Sequence, residues 1–464
     1  MLGVGGFSDR APTGINVLDE LIGGGLPRGG LILVAGNPGS GKTIFSAQFV
    51  HHGAERLGEV GIYVSFSESR ETFMSNMSQM GFKFDELEKA GKFRLLDFPV
   101  MSESGVATTL ESVLRQIGQF KARRLVIDSF SAMAQAYRGR SEARIVLHTI
   151  LSKMTRQAGC TTLLIVEVPT GQEKLGTSVE EFVADGIFIL GREKEFGIRQ
   201  FEIPKLRGSR IQRVNQMFTL ADGFQVMESF SLPKISRKEL WRPISDSDTH
   251  FSSGSGDLDR ALGGGYQRGA SVVLEAEPSV PLEAIQLLSM QTAWNFLSRR
   301  KGVFILPTMG VSKEEYAGLM TPHIEEGAFD KCVTVYSDMS FDKSELEPFR
   351  QHQLELRKRT GGPILTIVGY DLLESSYANE MDQLFSMVGR SITECKLQGD
   401  LTLALTRPGL EITQRTVYLT DQHVRLIERN GCIFLYGVKP RTPLYALGCD
   451  ISKGFPRASL KPVV

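Results

Sequence analysis

Gly36-Asn37-Pro38-Gly39-Ser40-Gly41-Lys42-Thr43 follows directly on the apolar run Leu31-Ile32-Leu33-Val34-Ala35. The octapeptide fits G-x-x-x-x-G-K-[ST]. The run before it reads as a buried strand, and Ile44 to Arg56 after it is compatible with a helix. Strand, loop, Lys-Thr and helix in that order separate a phosphate loop from a chance cluster of glycines. The glycines let the backbone curl around an anion and aim successive N–H groups inward. The helix behind them adds the positive end of its dipole. In such a loop Lys42 reaches the β- and γ-phosphates of a nucleotide, and the Thr43 hydroxyl is placed to ligate Mg²⁺.

Outward from this loop, short apolar runs alternate with helical patterns. Candidate strands are Leu31–Ala35, Gly61–Phe66, Arg124–Asp128, Thr161–Val166, Gly186–Leu190 and Arg199–Ile203. Between them Arg70–Gly81, Thr108–Phe120 and Ser141–Gln157 carry apolar residues at helix spacing. Alternation of this kind predicts an α/β fold, a mostly parallel sheet with helices on both faces and ligands at the carboxyl ends of the strands. Leu125-Val126-Ile127-Asp128 ends an apolar strand in a carboxylate, where a phosphate-loop fold needs one to hold Mg²⁺. Glu68, just past another strand, is a candidate base for an attacking water. On spacing alone it could equally be a solvated turn residue.

The module is written twice. Thr13-Gly14-Ile15-Asn16-Val17-Leu18-Asp19 and Gly23-Gly24-Gly25-Leu26-Pro27-Arg28-Gly29 recur, without a gap, as Ser253-Gly254-Ser255-Gly256-Asp257-Leu258-Asp259 and Gly263-Gly264-Gly265-Tyr266-Gln267-Arg268-Gly269. Two domains are expected, 1–228 and 253–464, joined by a linker over 229–252 that carries Pro233, Pro243 and several serines. Leu240 and Trp241 suggest that the linker is partly packed. In the second copy the phosphate loop reads Ala276-Glu277-Pro278-Ser279-Val280-Pro281-Leu282-Glu283. No glycine remains, Pro281 removes an N–H, and two carboxylates would repel an anion. Valine stands where the first copy has Asp128, although Asp371 follows shortly after. The second module is expected to bind no nucleotide.

With 53 basic and 53 acidic residues the net charge is zero, which gives no global attraction to nucleic acid or to membranes. Five scattered cysteines form no C-x-x-C pair and argue against a disulfide framework or a zinc site. His51 and His52 are neighbours on a helix and cannot share a face for a metal. No run of 18 apolar residues occurs, so a cytoplasmic protein is expected.

The run Thr13 to Thr43, Phe66-Ser67-Glu68, Met80-Gly81-Phe82, Leu96-Asp97 and Val126-Ile127-Asp128-Ser129 together resemble the KaiC family of RecA-like ATPases. Val179-Glu180-Glu181-Phe182-Val183-Ala184-Asp185 and Lys205-Leu206-Arg207-Gly208-Ser209 add to the match. The resemblance implies two tandem RecA-like P-loop domains and ATP with Mg²⁺ as ligands. It also implies assembly into a ring, usually a hexamer, with ATP at the subunit interfaces. It assigns Lys205 and Arg207 to the neighbouring subunit's ATP, where a cation supplied across an interface stabilises transition-state charge only after assembly. The family usually carries two adjacent glutamates after Phe66. Here Ser67 precedes a single Glu68, which points to slow or altered turnover. Autophosphorylation resides in the second ring of the family and requires ATP there, so the decayed loop argues against it.

The leading expectation is an ATP-hydrolysing regulatory ring whose second module stabilises assembly or docks a protein partner. A tandem layout with a decayed second module also resembles archaeal gas-vesicle regulators of the GvpD type. The alternatives are a non-hydrolysing, ATP-bound scaffold and a RecA-like ATPase acting on DNA.

Overall fold

Alternate residues of strand β1 (Leu31–Gly36) bury into two different cores. Ile32 and Val34 pack with Phe45 and Phe49 of helix α1 (Lys42–Arg56), whereas Leu31 and Leu33 pack with Leu125 and Leu164 on the other face of the sheet. A strand covered on both faces must be apolar at every position, which is why this run shows no alternation. Around it lie β2 (Gly61–Ser65), β3 (Phe93–Asp97), β4 (Arg124–Asp128), β5 (Thr161–Glu167), β6 (Gly186–Arg192), β7 (Arg199–Leu206), β8 (Asn215–Thr219) and β9 (Gln225–Val226). Their order is β3-β2-β4-β5-β1-β6-β7-β8-β9. The first six are mutually parallel and the last three antiparallel. The computed structural model describes residues 9–98, 103–134, 159–168, 184–209, 215–236, 238–336 and 347–463. The expected helix Ser141–Gln157 lies outside them.

All six expected strands occur within two or three residues of their expected ends. Three did not stand out in the sequence. Strand β3 is the sheet edge and buries only Phe93 and Leu95 fully, and β8 and β9 continue an antiparallel run that βα alternation does not anticipate.

The second sheet comprises β10 (Ser271–Ala276), β11 (Val303–Leu306), β12 (Val333–Val335), β13 (Leu365–Gly369), β14 (Leu401–Thr406), β15 (Gln422–Arg429), β16 (Cys432–Lys439), β17 (Tyr445–Asp450) and β18 (Arg457–Pro462). Its order, β12-β11-β13-β14-β10-β15-β16-β17-β18, repeats the first strand for strand, with the same parallel and antiparallel pairs. The twice-written Leu-Asp serves the same turn in both. Asp19 accepts from Thr13 N and Oγ1 (2.8 Å each) and from Gly14 N (3.1 Å). Asp259 accepts from Ser253 N (2.7 Å) and Oγ (2.6 Å) and from Ser252 Oγ (2.5 Å). A carboxylate that satisfies several loop donors explains the retained register without any role in catalysis.

By backbone contacts the chain divides into units Met1–Glu228 and Ser229–Val463, so the segment 229–252 belongs to the second unit and is not a free linker. Its Trp241 is buried against Trp294 and Phe455, with ring centroids 5.3 and 4.6 Å away. Asn295 on helix α2 (Leu282–Leu297) bonds both the N–H and the carbonyl of Ile244, at 2.8 and 3.1 Å. Asp246 pairs with Arg299 at 2.6 Å and Lys301 at 2.8 Å. The partial packing expected from Trp241 is thus found, with one aromatic anchor of large buried area and one paired carboxylate fixing a segment rich in prolines and serines.

In the first unit, fully buried Arg124 ties strand, helix and loop together. Its Nε pairs with Glu59 at 2.6 Å, and its Nη1 donates to the carbonyls of Pro12 and Phe49, both at 2.7 Å. Gly53 leaves room for it. A Cβ there would lie 2.1 Å from Arg124 Nε. Gly53→Ala, which would stabilise an ordinary exposed helix interior, is therefore expected to cost the first unit about 1–3 kcal/mol through overpacking. Urea unfolding followed by circular dichroism tests this, and unchanged or raised stability would contradict it.

Candidate nucleotide-binding site

Helix α1 starts at Lys42, and its N-cap Gly41 sits at φ 101°, a conformation that side chains disfavour. A Cβ on Gly36 would come within 2.2 Å of the Leu190 carbonyl oxygen, so the loop's first position also requires glycine. Asn37 Nδ2 donates to Val168 O at 3.0 Å, and Arg199 Nη1 donates to Gly39 O at 2.8 Å. These bonds hold the loop, including Pro38, against the ends of two further strands. Lys42 Nζ folds back onto the carbonyls of Gly36 and Asn37, both at 2.9 Å. Burial pushes its ammonium below the ordinary lysine range, while Glu167 and Asp128 act in the opposite direction. The buried Ser40 Oγ has no partner among the described residues. A flexible cation and an unpaired buried donor facing a glycine cradle are groups that a phosphate satisfies.

Behind Lys42, Thr43 Oγ1 donates to Asp128 Oδ2 at 3.0 Å. The Tyr63 hydroxyl donates to the same oxygen at 2.7 Å. Burial pushes the Asp128 carboxyl up; the bonds from Tyr63 and Thr43 and the charge of Lys42 pull it down. A hydroxyl and a carboxylate 3.0 Å apart beside the loop form the kind of oxygen pair that Mg²⁺ takes, and the residues present fit that ion. Tyr63 was not singled out by sequence reasoning. The signal was available: a tyrosine inside a fully buried strand needs a partner for its hydroxyl.

Half-buried Glu68 caps the end of β2. Its N–H donates to Ser65 Oγ at 3.0 Å, and Ser65 Oγ donates to the Glu68 carbonyl at 2.8 Å. Burial, and then the negative charge of Asp128, raise its carboxyl above the usual glutamate range. That neighbouring charge comes from the sheet and is present although Ser67 stands where a second glutamate was expected. A further carboxylate went unrecognised: Glu167 closes β5 in register with Gly36, and its field reaches both Lys42 and Asp128.

Lys205 and Arg207 are not brought to this loop. Strand β7 runs antiparallel to β6, so Lys205 lies opposite Ile187, and Gly186 lies beside Ile32 at the start of β1. The phosphate loop leaves the other end of that strand: Ile187 is in register with Leu33, three residues or about 10 Å before Gly36, and Asp185, which bonds Arg207, adjoins Leu31, five residues or about 16 Å before it. Arg207 Nη1 pairs with Asp185 Oδ1 at 3.1 Å, and Asp185 also accepts from Leu31 N. Of the acidic motif that precedes β6, residues 179–183 lie outside the described residues.

In the second unit the loop equivalent is engaged by arginines from two other strand ends. Glu277 pairs with Arg429 at 2.9 Å, and Arg407 donates to Pro278 O at 3.4 Å. Pro281 caps helix α2 at φ −66°, where the first module has a left-handed glycine. Asp371 accepts from the backbone of Met309 and Leu372. Lys439, at the position corresponding to the basic cluster of β7, is held on the Thr420 carbonyl. His51 accepts from Lys83 N at 3.2 Å and reads as structural.

A family model described as the ATPase KaiC matches residues 11–229, and one described as GvpD basic region 2 matches residues 240–338. Over residues 11–229, its first unit, the chain is similar to the KaiC ATPases. Protein GvpD2 and Protein GvpD1 of Halobacterium salinarum are each 26% identical to it, over 94% of this chain and 94% of theirs. The circadian clock oscillator protein KaiC of Thermosynechococcus vestitus is 32% identical over 55% of this chain and 50% of its own length, so the match spans about half of that relative. A crystal structure of a KaiC-like protein from Pyrococcus horikoshii, 33% identical, covers 47% of this chain and 99% of its own, with a TM-score of 0.43. The KaiC match ends where the first unit ends, and the GvpD match begins beyond it. Among the described residues no helix is long and apolar enough to cross a membrane.

Proposed function

We propose that this chain is an ATP-dependent regulatory switch that binds ATP in its first module alone and hydrolyses it slowly as a ring, with a hexamer the expected size. The observation that carries this reading is the pairing of Thr43 with Asp128 beside an intact phosphate loop. The Gly36–Gly41 backbone and Lys42 bind the phosphates, and Thr43 and Asp128 hold Mg²⁺, which shields the phosphate charge when bound. Glu68 orients a water and accepts its proton as the water oxygen attacks the γ-phosphorus, releasing ADP and phosphate. Lys205 and Arg207 serve the adjacent subunit's ATP, and their position across the sheet from their own loop favours that reading. The second module, with its loop held by one ion pair and a backbone hydrogen bond, stabilises the assembly or docks a protein partner and carries no autokinase. Its similarity to GvpD proteins along almost the whole chain supports a regulatory role.

Turnover per subunit should rise with protein concentration as rings assemble. A rate independent of concentration at every accessible dilution, in a protein that sediments as a monomer, contradicts the ring. The pH dependence follows from Glu68. A base must be deprotonated, and its carboxyl titrates above the ordinary glutamate value of 4.5. Turnover should therefore fall as the pH drops through that raised value, and Glu68→Gln should remove this limb while leaving ATP binding intact. A Glu68→Gln protein with the wild-type rate would exclude the base.

A second reading is favoured by the lone Glu68 after Ser67: ATP held without turnover as a scaffold. Bound ATP recovered unhydrolysed after many hours would select it. A RecA-like action on DNA would appear as DNA-stimulated, salt-sensitive turnover.

A further inference from the structure

Ser271, Thr402 and Thr366 stand in one row across the second sheet. Ser271 of β10 is in register with Thr402 of β14, which is in register with Thr366 of β13. Residues in register on parallel strands face the same side, and all three line a cavity of about 190 Å³. The corresponding row of the first sheet is Leu31, Thr162 and Leu125. There the two leucines are part of an apolar core. The second module thus carries hydroxyls where the first has two buried leucines, and it does so on the floor of a cavity.

The row is only partly satisfied from within. Gln353 Nε2 donates to Thr366 Oγ1 at 3.0 Å, and Thr402 Oγ1 donates to Cys395 Sγ at 3.4 Å. Ser271 is fully buried, and its Oγ has no partner among the described residues. A buried hydroxyl left unpaired is costly, so its place on a cavity floor calls for a polar group from outside. Phe349, Tyr370 and Met387 contribute aromatic and thioether wall to the same cavity. Arg390, exposed, also lines it and makes no ion pair among the described residues, whereas neighbouring Arg350 is paired with Glu394 at 3.2 Å. An apolar cavity of about 150 Å³ accepts benzene, so this one takes a single ring with short substituents.

We propose that this cavity is a ligand site of the second module for a small monocyclic aromatic acid. The carboxylate pairs with Arg390, the ring lies between Phe349, Tyr370 and Met387, and a hydroxyl at the far end of the ring bonds the Ser271–Thr402–Thr366 row. The module with the decayed phosphate loop thereby has a chemical input of its own. The assignment is independent of the ATP chemistry proposed above.

The probe is 4-hydroxyphenylacetate, titrated into the full-length protein by calorimetry and observed by saturation-transfer NMR. Phenylacetate, which lacks the hydroxyl, and 4-methylphenol, which lacks the carboxylate, should each bind about tenfold more weakly or worse. Ser271→Leu, which restores the first module's residue, should abolish binding while far-UV circular dichroism stays unchanged. Arg390→Gln, an exposed position with no fold risk, should weaken the acid and leave 4-methylphenol unaffected. Absence of binding of all three probes at millimolar concentration overturns the proposal. So does equal binding to Ser271→Leu and Arg390→Gln, or a crystal structure grown with the probe in which only water or the chain's own side chains fill the cavity.

Discussion

Replacing Lys42 by alanine should lower ATP turnover by at least about 10²-fold, the scale on which loss of one preorganised electrostatic donor acts on a charged transition state. Among the described residues this ammonium is hydrogen-bonded only to the carbonyls of Gly36 and Asn37, and it lies in the fields of Asp128 and Glu167. It can therefore leave those carbonyls for a phosphate without breaking a salt bridge. The glycine cradle and the Thr43–Asp128 pair would survive the substitution, so the fold should persist. Calorimetry with ATP and a phosphate-release assay, run on wild type and variant side by side, check both parts. Wild type should take up a single ATP per chain, because the second module offers Glu277 and Arg429 locked together in place of a cradle. A variant that retains turnover within a few-fold of wild type would remove the phosphate loop from the mechanism.

The second large effect concerns Arg207. Alone, Arg207→Ala should be as inactive as Lys42→Ala, yet the two inactive proteins mixed one-to-one should recover roughly a quarter of the wild-type rate. That is the fraction of interfaces in a random heterologous ring that join an intact Lys42 to an intact Arg207. The reason lies in the sheet: Arg207 follows a strand antiparallel to β6, so it sits at the end of the sheet opposite its own phosphate loop. Its side chain is 56% exposed, and its pairing with Asp185 is of the surface kind that contributes little to stability. It is available to a neighbour. Recovery must require assembly, so dilution below the ring-forming concentration should abolish it. No recovery in a mixture shown to contain both chains in one ring would place Arg207 outside the chemistry.

Much of this was legible from local sequence. The phosphate loop carries its own strand, glycines and helix start, so Gly36 to Thr43 could be read as one unit. The apolar strands around it were read because burial on both faces leaves a continuous hydrophobic run. Decay of the second loop was equally plain, since its glycines are gone. What escaped was whatever depends on partners far apart along the chain. The Tyr63 hydroxyl on Asp128, Glu167 beside Lys42, and Arg199 on the loop carbonyl of Gly39 join residues separated by 65, 125 and 160 positions. No spacing rule ties them together. The partners of the segment 229–252 are hidden for a related reason: prolines and serines speak of backbone preference and Trp241 of partial packing, whereas the pocket that takes this indole is made from the distant Trp294 and Phe455.

By itself the sequence determined that two copies of one α/β module follow each other and that only the first carries the glycines, lysine and threonine of a phosphate loop, Gly36 to Thr43. Those properties rest on residue type and short-range order. The tertiary structure decided the rest: that Asp128 meets Thr43 and Tyr63, that Lys205 and Arg207 lie away from their own loop, and that three hydroxyls share one row on the second sheet. The physical reason is strand register. It is set by hydrogen bonds and packing between segments distant in the chain, and it alone determines which side chains stand next to one another.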